Sequence, residues 1–338
     1  MIKLRYRNHI NDNNNVQNID ECAKLINHTH HKLIGKGSQG TVFKISTTKC
    51  GSVVVKKYHK QHHSTILQHK SIEHEINVTN EIKKLIDNDI CPNFIYMFGY
   101  SLDNRYIMME YADGDMGNFL QTTHSDDVYL NSNFQIYVAL LTLHKILRYN
   151  HNDMCFPNIF YKKITNEYDY FQYNINGHIF NLPNDGYLFM IADFGMTEPS
   201  DSNKSKNDDL DKLCVLYKIK LLAMNLKIYY GSLGNLMKSI DTTDKKFTDF
   251  YNNLIKTTEQ RNIFYNVIYY CIENNMIDYE EIKHKLKYKM MPDYLIDILV
   301  DLYCSKVDEI QQLNKTFIAY TAQIDETKYR IKKFTIVF

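Results

Sequence analysis

His151-Asn152-Asp153-Met154-Cys155-Phe156-Pro157-Asn158-Ile159-Phe160 is the stretch on which the reading of this chain turns. It fits the pattern H-x-D-x-x-x-x-N, with the Asp153 carboxylate five positions ahead of the Asn158 amide. Such a pair suits phosphoryl chemistry: the aspartate orients an attacking hydroxyl and accepts its proton, and the amide oxygen ligates Mg2+ on the phosphate side. An ordinary polar loop at a helix end reads the same way, so the weight comes from its neighbours. Just before it, Phe134, Ile136, Val138, Leu140, Leu141, Leu143, Ile146 and Leu147 cover most of a helix expected over Asn133 to Tyr149, which implies burial.

Downstream, Met190-Ile191-Ala192-Asp193-Phe194-Gly195 is an apolar strand ending in an aspartate that can bind the magnesium bridging two phosphates. Upstream, Gly35-Lys36-Gly37-Ser38-Gln39-Gly40-Thr41-Val42 fits G-x-G-x-x-G-x-V, in which glycines let backbone amides approach phosphate oxygens. A dinucleotide-binding turn would run from strand into helix. Here Thr41-Val42 and then Val53-Val54-Val55 continue as strands, which favours a strand-loop-strand lid over a nucleotide. Lys56 ends that valine run, with Lys57 as the alternative. A helix is expected over Ser71 to Ile86, where Val78, Ile82 and Leu85 define an apolar face and both Glu75 and Glu81 lie near its margins. Periodicity does not choose between those two.

Lysine plus arginine (40) balance aspartate plus glutamate (39), so no global field draws the chain to nucleic acid or an acidic membrane. The first residues, MIKLRYRNHINDNNN, lack an apolar leader, and no apolar run reaches the roughly 18 residues that span a bilayer. A soluble chain is expected, cytoplasmic or nuclear. Seven widely spaced cysteines without a CxxC pair fit a reducing compartment and not a disulfide framework. His28-Thr29-His30-His31 and His62-His63 lack partners at metal-ligand spacing, and Lys283 to Lys289 reads as a solvated helix face.

Taken in order, the five motifs resemble the eukaryotic protein-kinase superfamily over about residues 29 to 225. The resemblance implies an α+β bilobal fold: a β-rich N-lobe with one helix over 29–112, and a larger, mainly helical C-lobe over 113–325. An extension over 1–28, with one short helix at Asp20 to Ile26, and a segment over 326–338 flank them. It implies ATP and Mg2+ as cofactors and a protein substrate, with serine or threonine as the acceptor. Lys56 would hold the α- and β-phosphates and pair with a helix glutamate, for which the interval from Asn80-Glu81-Ile82 to Cys91-Pro92-Asn93 favours Glu81. Gly35, Lys36, Gly37, Ser38, Gln39, Gly40 and Val42 would cover the nucleotide, and Met109 would be the gatekeeper. The backbone at Glu110 and Ala112 would receive adenine. Asn158 and Asp193 would hold the metal, and Asp153 would orient the nucleophile.

The departures from that family are informative. Asp153 and Asp193 lie forty residues apart, about twice the usual kinase interval, and Tyr173-Asn174-Ile175-Asn176-Gly177 with Leu182-Pro183-Asn184-Asp185-Gly186 reads as an inserted β-hairpin near 162–188. This is similar to haspin-like kinases and to kinases of large DNA viruses. The residue choice, with 27 tyrosines and no tryptophan, suits an AT-rich genome, so a viral origin is expected, in host cell or virion. Asp209-Leu210-Asp211-Lys212-Leu213 resembles the start of the helix whose aspartate holds the catalytic-loop backbone, yet it follows Asp193 by only sixteen residues. An Ala-Pro-Glu is missing, Asn152 replaces the arginine that receives an activating phosphate, and Cys155 stands where a lysine neutralises the transferring group. A pseudokinase and a small-molecule kinase are the alternatives.

Overall fold

A computed structural model describes residues 31–338 apart from 37–39, 48–50, 60–71, 104, 123, 166, 201–208, 211, 214–216, 218–231, 258–262, 264–266, 268–269, 272–273, 275, 278–292 and 305–307. The expected helix at Asp20 to Ile26, the histidines at 28–30 and 62–63 and the lysine-rich run at 283–289 lie outside the described residues.

Valine-rich, β-branched sequence forms the first sheet, as pleated-surface propensity dictates. Strands β1 (His31–Lys36), β2 (Gly40–Thr47), β3 (Gly51–Tyr58), β4 (Met97–Ser101) and β5 (Tyr106–Glu110) pair antiparallel in the order β1-β2-β3-β5-β4. Helix α1 (Ile72–Asp87) lies between β3 and β4 in the chain and buries Ile76, Val78, Thr79, Ile82, Leu85 and Ile86. After β5 come a two-residue strand β6 (Gly114–Asp115), the single turn α2 (Met116–Phe119) and the long helix α3 (Asp126–Lys145). Helix α3 starts seven residues before the expected Asn133, where Asp126 and Asp127 complement the helix dipole, and ends with His144 and Lys145. Thirteen consecutive residues from Asn131 to Leu143 are buried, as its all-round apolar pattern requires.

Short strands β7 (Tyr149–Asn150) and β12 (Glu198–Pro199) pair with each other, and β8 (Ile159–Lys163) joins β11 (Tyr187–Ile191) and β6 in a second sheet. Between β8 and β11, the expected hairpin is present as β9 (Tyr170–Ile175) and β10 (His178–Pro183). Asn176 (φ 48°) and Gly177 (φ 88°) form its two-residue turn, both in the left-handed region that such turns demand. Phe134 of α3 packs on Tyr173, Phe180 and Phe317 at centroid distances of 5.3, 5.4 and 5.1 Å, so the insert belongs to the core. The edge of this hairpin is taken by β13 (Ile331–Ile336), parallel to β9 over six residue pairs.

Contacts divide the chain into two compact units, and the division does not follow the expected boundary at 112/113. One unit holds residues up to 120 with 124–209 and 306–338; the other holds 121–123 and 210–305. The physical reason is a main-chain stitch: Ile95 N donates to Ile191 O, and Ile191 N to Asn93 O, both at 3.0 Å. Lys162 adds an ion pair to the buried Glu110 at 3.0 Å. The second unit includes α4 (Leu233–Ser239), α5 (Lys245–Thr257) and α6 (Asp293–Cys304), and packs Leu236, Phe247, Val267 and Cys271 in one apolar cluster. Helix α7 (Glu309–Thr316) belongs to the first unit. Among the described residues, no helix is long and apolar enough to cross a membrane.

Candidate functional site

Strand β3 carries Lys56 inward, where its ammonium meets both oxygens of Glu75 at 3.0 and 3.1 Å and Asp193 Oδ1 at 2.7 Å. Burial pulls the ammonium pKa down, and the two carboxylates more than offset this, leaving it above its ordinary value. The partner is therefore Glu75, and the expectation of Glu81 is corrected. Taking Glu75 as the reference, Val78, Thr79, Ile82 and Ile86 recur at helical spacing, so Glu75 lies at the centre of the buried face. Glu81 lies 120° away from it, since six residues of helix turn through about 600°. Glu81 instead lies near Tyr149, whose phenol is raised above its ordinary value by burial and then by this carboxylate. The burial of Thr79 and Ile86 decides what the apolar positions alone left open, and the interval to the following loop pointed the wrong way.

Glu75 has a third partner that sequence reasoning missed. The Tyr58 hydroxyl donates to Glu75 Oε2 at 2.5 Å, and burial followed by this carboxylate raises the phenol's pKa above its usual range. Tyr58 sits two residues after Lys56, on the same strand face, and that period-two spacing was the available signal. Glu75→Gln is expected to lower phosphotransfer by about a hundredfold through misplacement of Lys56, and Tyr58→Phe by about threefold to tenfold through loss of one hydrogen bond. Glu81→Gln should leave the rate within about twofold of wild type, in the ordinary range for a residue off the buried face. Steady-state rates for the three variants check this ordering; equal losses at Glu75 and Glu81 would refute it.

The catalytic loop is held by backbone geometry. Asn158 Nδ2 donates to the Asp153 carbonyl at 2.8 Å and to Asp153 Oδ2 at 3.0 Å, which joins the two ends of the H-x-D-x-x-x-x-N stretch. Asp209 Oδ2 accepts from His151 N at 2.6 Å and Oδ1 from Asn152 N at 2.9 Å, and Oδ2 also lies 2.9 Å from His144 Nε2. Burial raises the Asp209 pKa, and these partners reverse the effect, so the carboxyl lies below its ordinary value. Asp209 thus does what its resemblance implied. His151, fully buried, has its pKa lowered by burial; as a neutral ring it donates Nε2–H to Ala192 O (3.0 Å) and accepts from Asp153 N on Nδ1 (3.3 Å). Asp193 adopts φ 67°, ψ 70°, a left-handed conformation at the end of β11 that swings its carboxylate toward Lys56.

Beside these polar groups lies a cavity of about 170 Å³. Ile34, Val42, Val54, Ile95, Met109, Phe160 and Ala192 give it apolar walls, while Lys56, Glu75, Asn158 and Asp193 line it with polar groups. Glu110 and Ala112 line it too. The Glu110 amide already donates to Tyr96 O at 2.9 Å, and its carboxylate accepts from Tyr96 N at 2.8 Å. Gly35 and Lys36 end β1 and Gly40 opens β2, while Gly37, Ser38 and Gln39 lie outside the described residues. A Cβ at Gly40 would meet Lys57 O at 2.5 Å, so the close approach of β2 to β3 already requires a glycine here.

Asn152 donates Nδ2–H to Met196 O at 3.2 Å, a neutral bond from the position where phosphate-switched kinases carry arginine. Cys155 is half-buried in extended backbone just before the turn containing Pro157 and Asn158.

The family described as protein kinase domain matches residues 28–215. A probable serine/threonine-protein kinase of Invertebrate iridescent virus 6 is 24% identical over 196 residues, 50% of this chain and 36% of that protein. A provisionally named serine/threonine-protein kinase of Acanthamoeba polyphaga mimivirus is 23% identical over 181 residues, 49% of this chain and 39% of that protein. One from Frog virus 3, also provisionally named, is 36% identical over 89 residues, 26% of this chain and 10% of that protein. The matches thus take in well under half the length of these relatives. With more than half its residues matched, and with Lys56, Asn158 and Asp193 lining one cavity, the chain belongs to the protein kinase domain family.

Proposed function

We propose that this chain transfers the γ-phosphoryl group of ATP to a protein hydroxyl, on serine or threonine. The observation that carries the reading is the Lys56 ammonium clamped between Glu75 and Asp193 at the polar end of an apolar cavity. Apolar walls suit a purine ring, and a fixed buried cation suits its phosphates. The donor set also fits a divalent cation. Asn158 commits its nitrogen to Asp153, which leaves the amide oxygen as an acceptor, and Asp193 engages Lys56 through Oδ1 only. Among the described residues no three His, Cys, Asp or Glu side chains form a cage, so the ion would be completed by phosphate oxygens, as magnesium commonly is.

When bound, the ion neutralises charge on the phosphates. Lys56 anchors the phosphates and Glu75 fixes Lys56. Asp153, its main chain tied by His151 and Asn158, orients the acceptor hydroxyl and takes its proton. The similarity to viral proteins named as serine/threonine-protein kinases supports this acceptor class and a viral setting. Cys155 supports a second reading, a nucleotide-binding domain without transfer, because a neutral thiol cannot balance charge on a transferring group.

The test is transfer from Mg-ATP onto the protein itself and a protein panel, with Asp153→Asn alongside. Wild type should label and the variant should fall by about a hundredfold to ten-thousandfold, the usual contribution of a positioned general base. Magnesium-dependent ATP binding without transfer would select the second reading instead.

A further inference from the structure

The family match stops at residue 215, yet residues 306–338 return to the unit that holds the site. Strand β13 brings two groups to one residue. Lys332, 6% exposed, reaches Asp89 Oδ2 with its ammonium at 2.7 Å, and Thr335 N donates to Asp89 O at 3.3 Å. Asp89 is the left-handed residue (φ 52°) of the turn that ends α1, and its own amide donates to Ile86 O in the last helical turn. The next segment is held from the same sheet: Tyr173 of β9 donates to Asn93 Oδ1 at 2.9 Å. The turn after α1 is thus clasped on its side chain and on its carbonyl by a strand 243 residues away.

We propose that Lys332 and Asp89 are positioning residues for the reaction, with β13 acting as a brace that holds α1 where Glu75 meets Lys56. This rests on the kinase reading of that pair. Helix α1 is a rigid rod, so a turn fixed at its C-terminal end limits the tilt available to Glu75 near its start. A buried lysine is stable only when paired, so removing Asp89 leaves the Lys332 ammonium uncompensated, and removing Lys332 frees the turn from the strand. The brace is internal to the chain and involves no modified residue. It therefore keeps the anchoring pair assembled without the phosphate-receiving arginine that Asn152 replaces.

Two readouts on the full chain test the proposal: amide hydrogen exchange, and kcat/KM for ATP. In Lys332→Ala and in Asp89→Ala, exchange in α1 should rise, and kcat/KM should fall, by about tenfold or more, the weight of a charge-assisted buried hydrogen bond. The double variant should be no worse than the worse single one. Exchange in α3 should stay at the wild-type level, and Lys333→Ala, on the exposed face of the same strand, should change neither readout. Thr335→Pro removes the amide that donates to Asp89 while leaving the Lys332 ion pair, and should give a smaller rise in α1. Unchanged exchange in α1, or a rise shared equally by α3, would overturn the proposal. Exchange needs no turnover: if wild type transfers no phosphate, the kinase reading fails, while the α1 result still decides whether the strand is a brace.

Discussion

Asp193→Asn is expected to abolish phosphotransfer, with a fall of at least about a thousandfold, the scale of losing a preorganised charge at the reacting centre. Asparagine matches aspartate in shape and tolerates the left-handed backbone seen at this position, so the fold should be unaffected. Two things are lost. Lys56 loses the counter-charge of Asp193 and keeps that of Glu75, and the metal loses the anionic ligand of the pair Asn158 and Asp193. The signature is a combined loss: magnesium-dependent ATP binding and transfer should both disappear, whereas Asp153→Asn should lose transfer and keep binding. Calorimetry with and without magnesium separates the two variants. An Asp193→Asn protein that keeps magnesium-dependent binding would rule out this residue as the metal ligand.

The largest effect on stability is expected at Asp209. Its carboxylate, with no exposed side-chain surface, accepts from two successive loop amides and faces His144. Asp209→Ala removes the acceptor shared by the buried His151 amide, the Asn152 amide and His144, and should destabilise the unit by about 3–5 kcal/mol, the range for breaking a buried charged network. Urea unfolding monitored by far-ultraviolet circular dichroism measures it; a change below about 1 kcal/mol would remove Asp209 from its structural role. The same network sets the acid limit. His151 is held neutral, below its unfolded value of about 6.5, so its contribution is complete above that pH and declines as pH falls below it. Asp209 lies below its unfolded value of about 3.9, so its share persists further and is lost as pH falls beneath that point. Stability should therefore decline in two stages on acidification, and a His151→Gln variant should show only the second.

Local patterns carried much of this into the sequence. The turn at Asn176-Gly177 announces itself because few residue pairs accept two positive φ values in succession. The apolar girdle of α3 required burial, and the ordered motifs pointed to Lys56, Asp153, Asn158 and Asp193 as one site. Glu75 was not singled out: Val78, Ile82 and Leu85 leave both glutamates near the margins of the apolar face, and it is the burial of Thr79 and Ile86 that centres the face on Glu75. What could not be read depends on distant pairing. Nothing local in Tyr329 to Phe338 identifies β9 as its partner, or singles out Lys332 from its neighbour Lys333 as the lysine to be buried. For Glu110 the resemblance implied only a role for the backbone, and its carboxylate binds Tyr96 and Lys162.

The parallel pairing of β9 with β13 also fixes an order of events during synthesis. A strand made early waits for one made 156 residues later, and residues 210–305, a compact unit of their own, are completed in between. At about 5–20 residues per second, a ribosome takes on the order of ten seconds to cover that gap. Throughout that interval the hairpin presents an open strand edge to other nascent chains. Such long-range closure makes refolding slow, and the waiting edge, more than the finished fold, is where aggregation would begin.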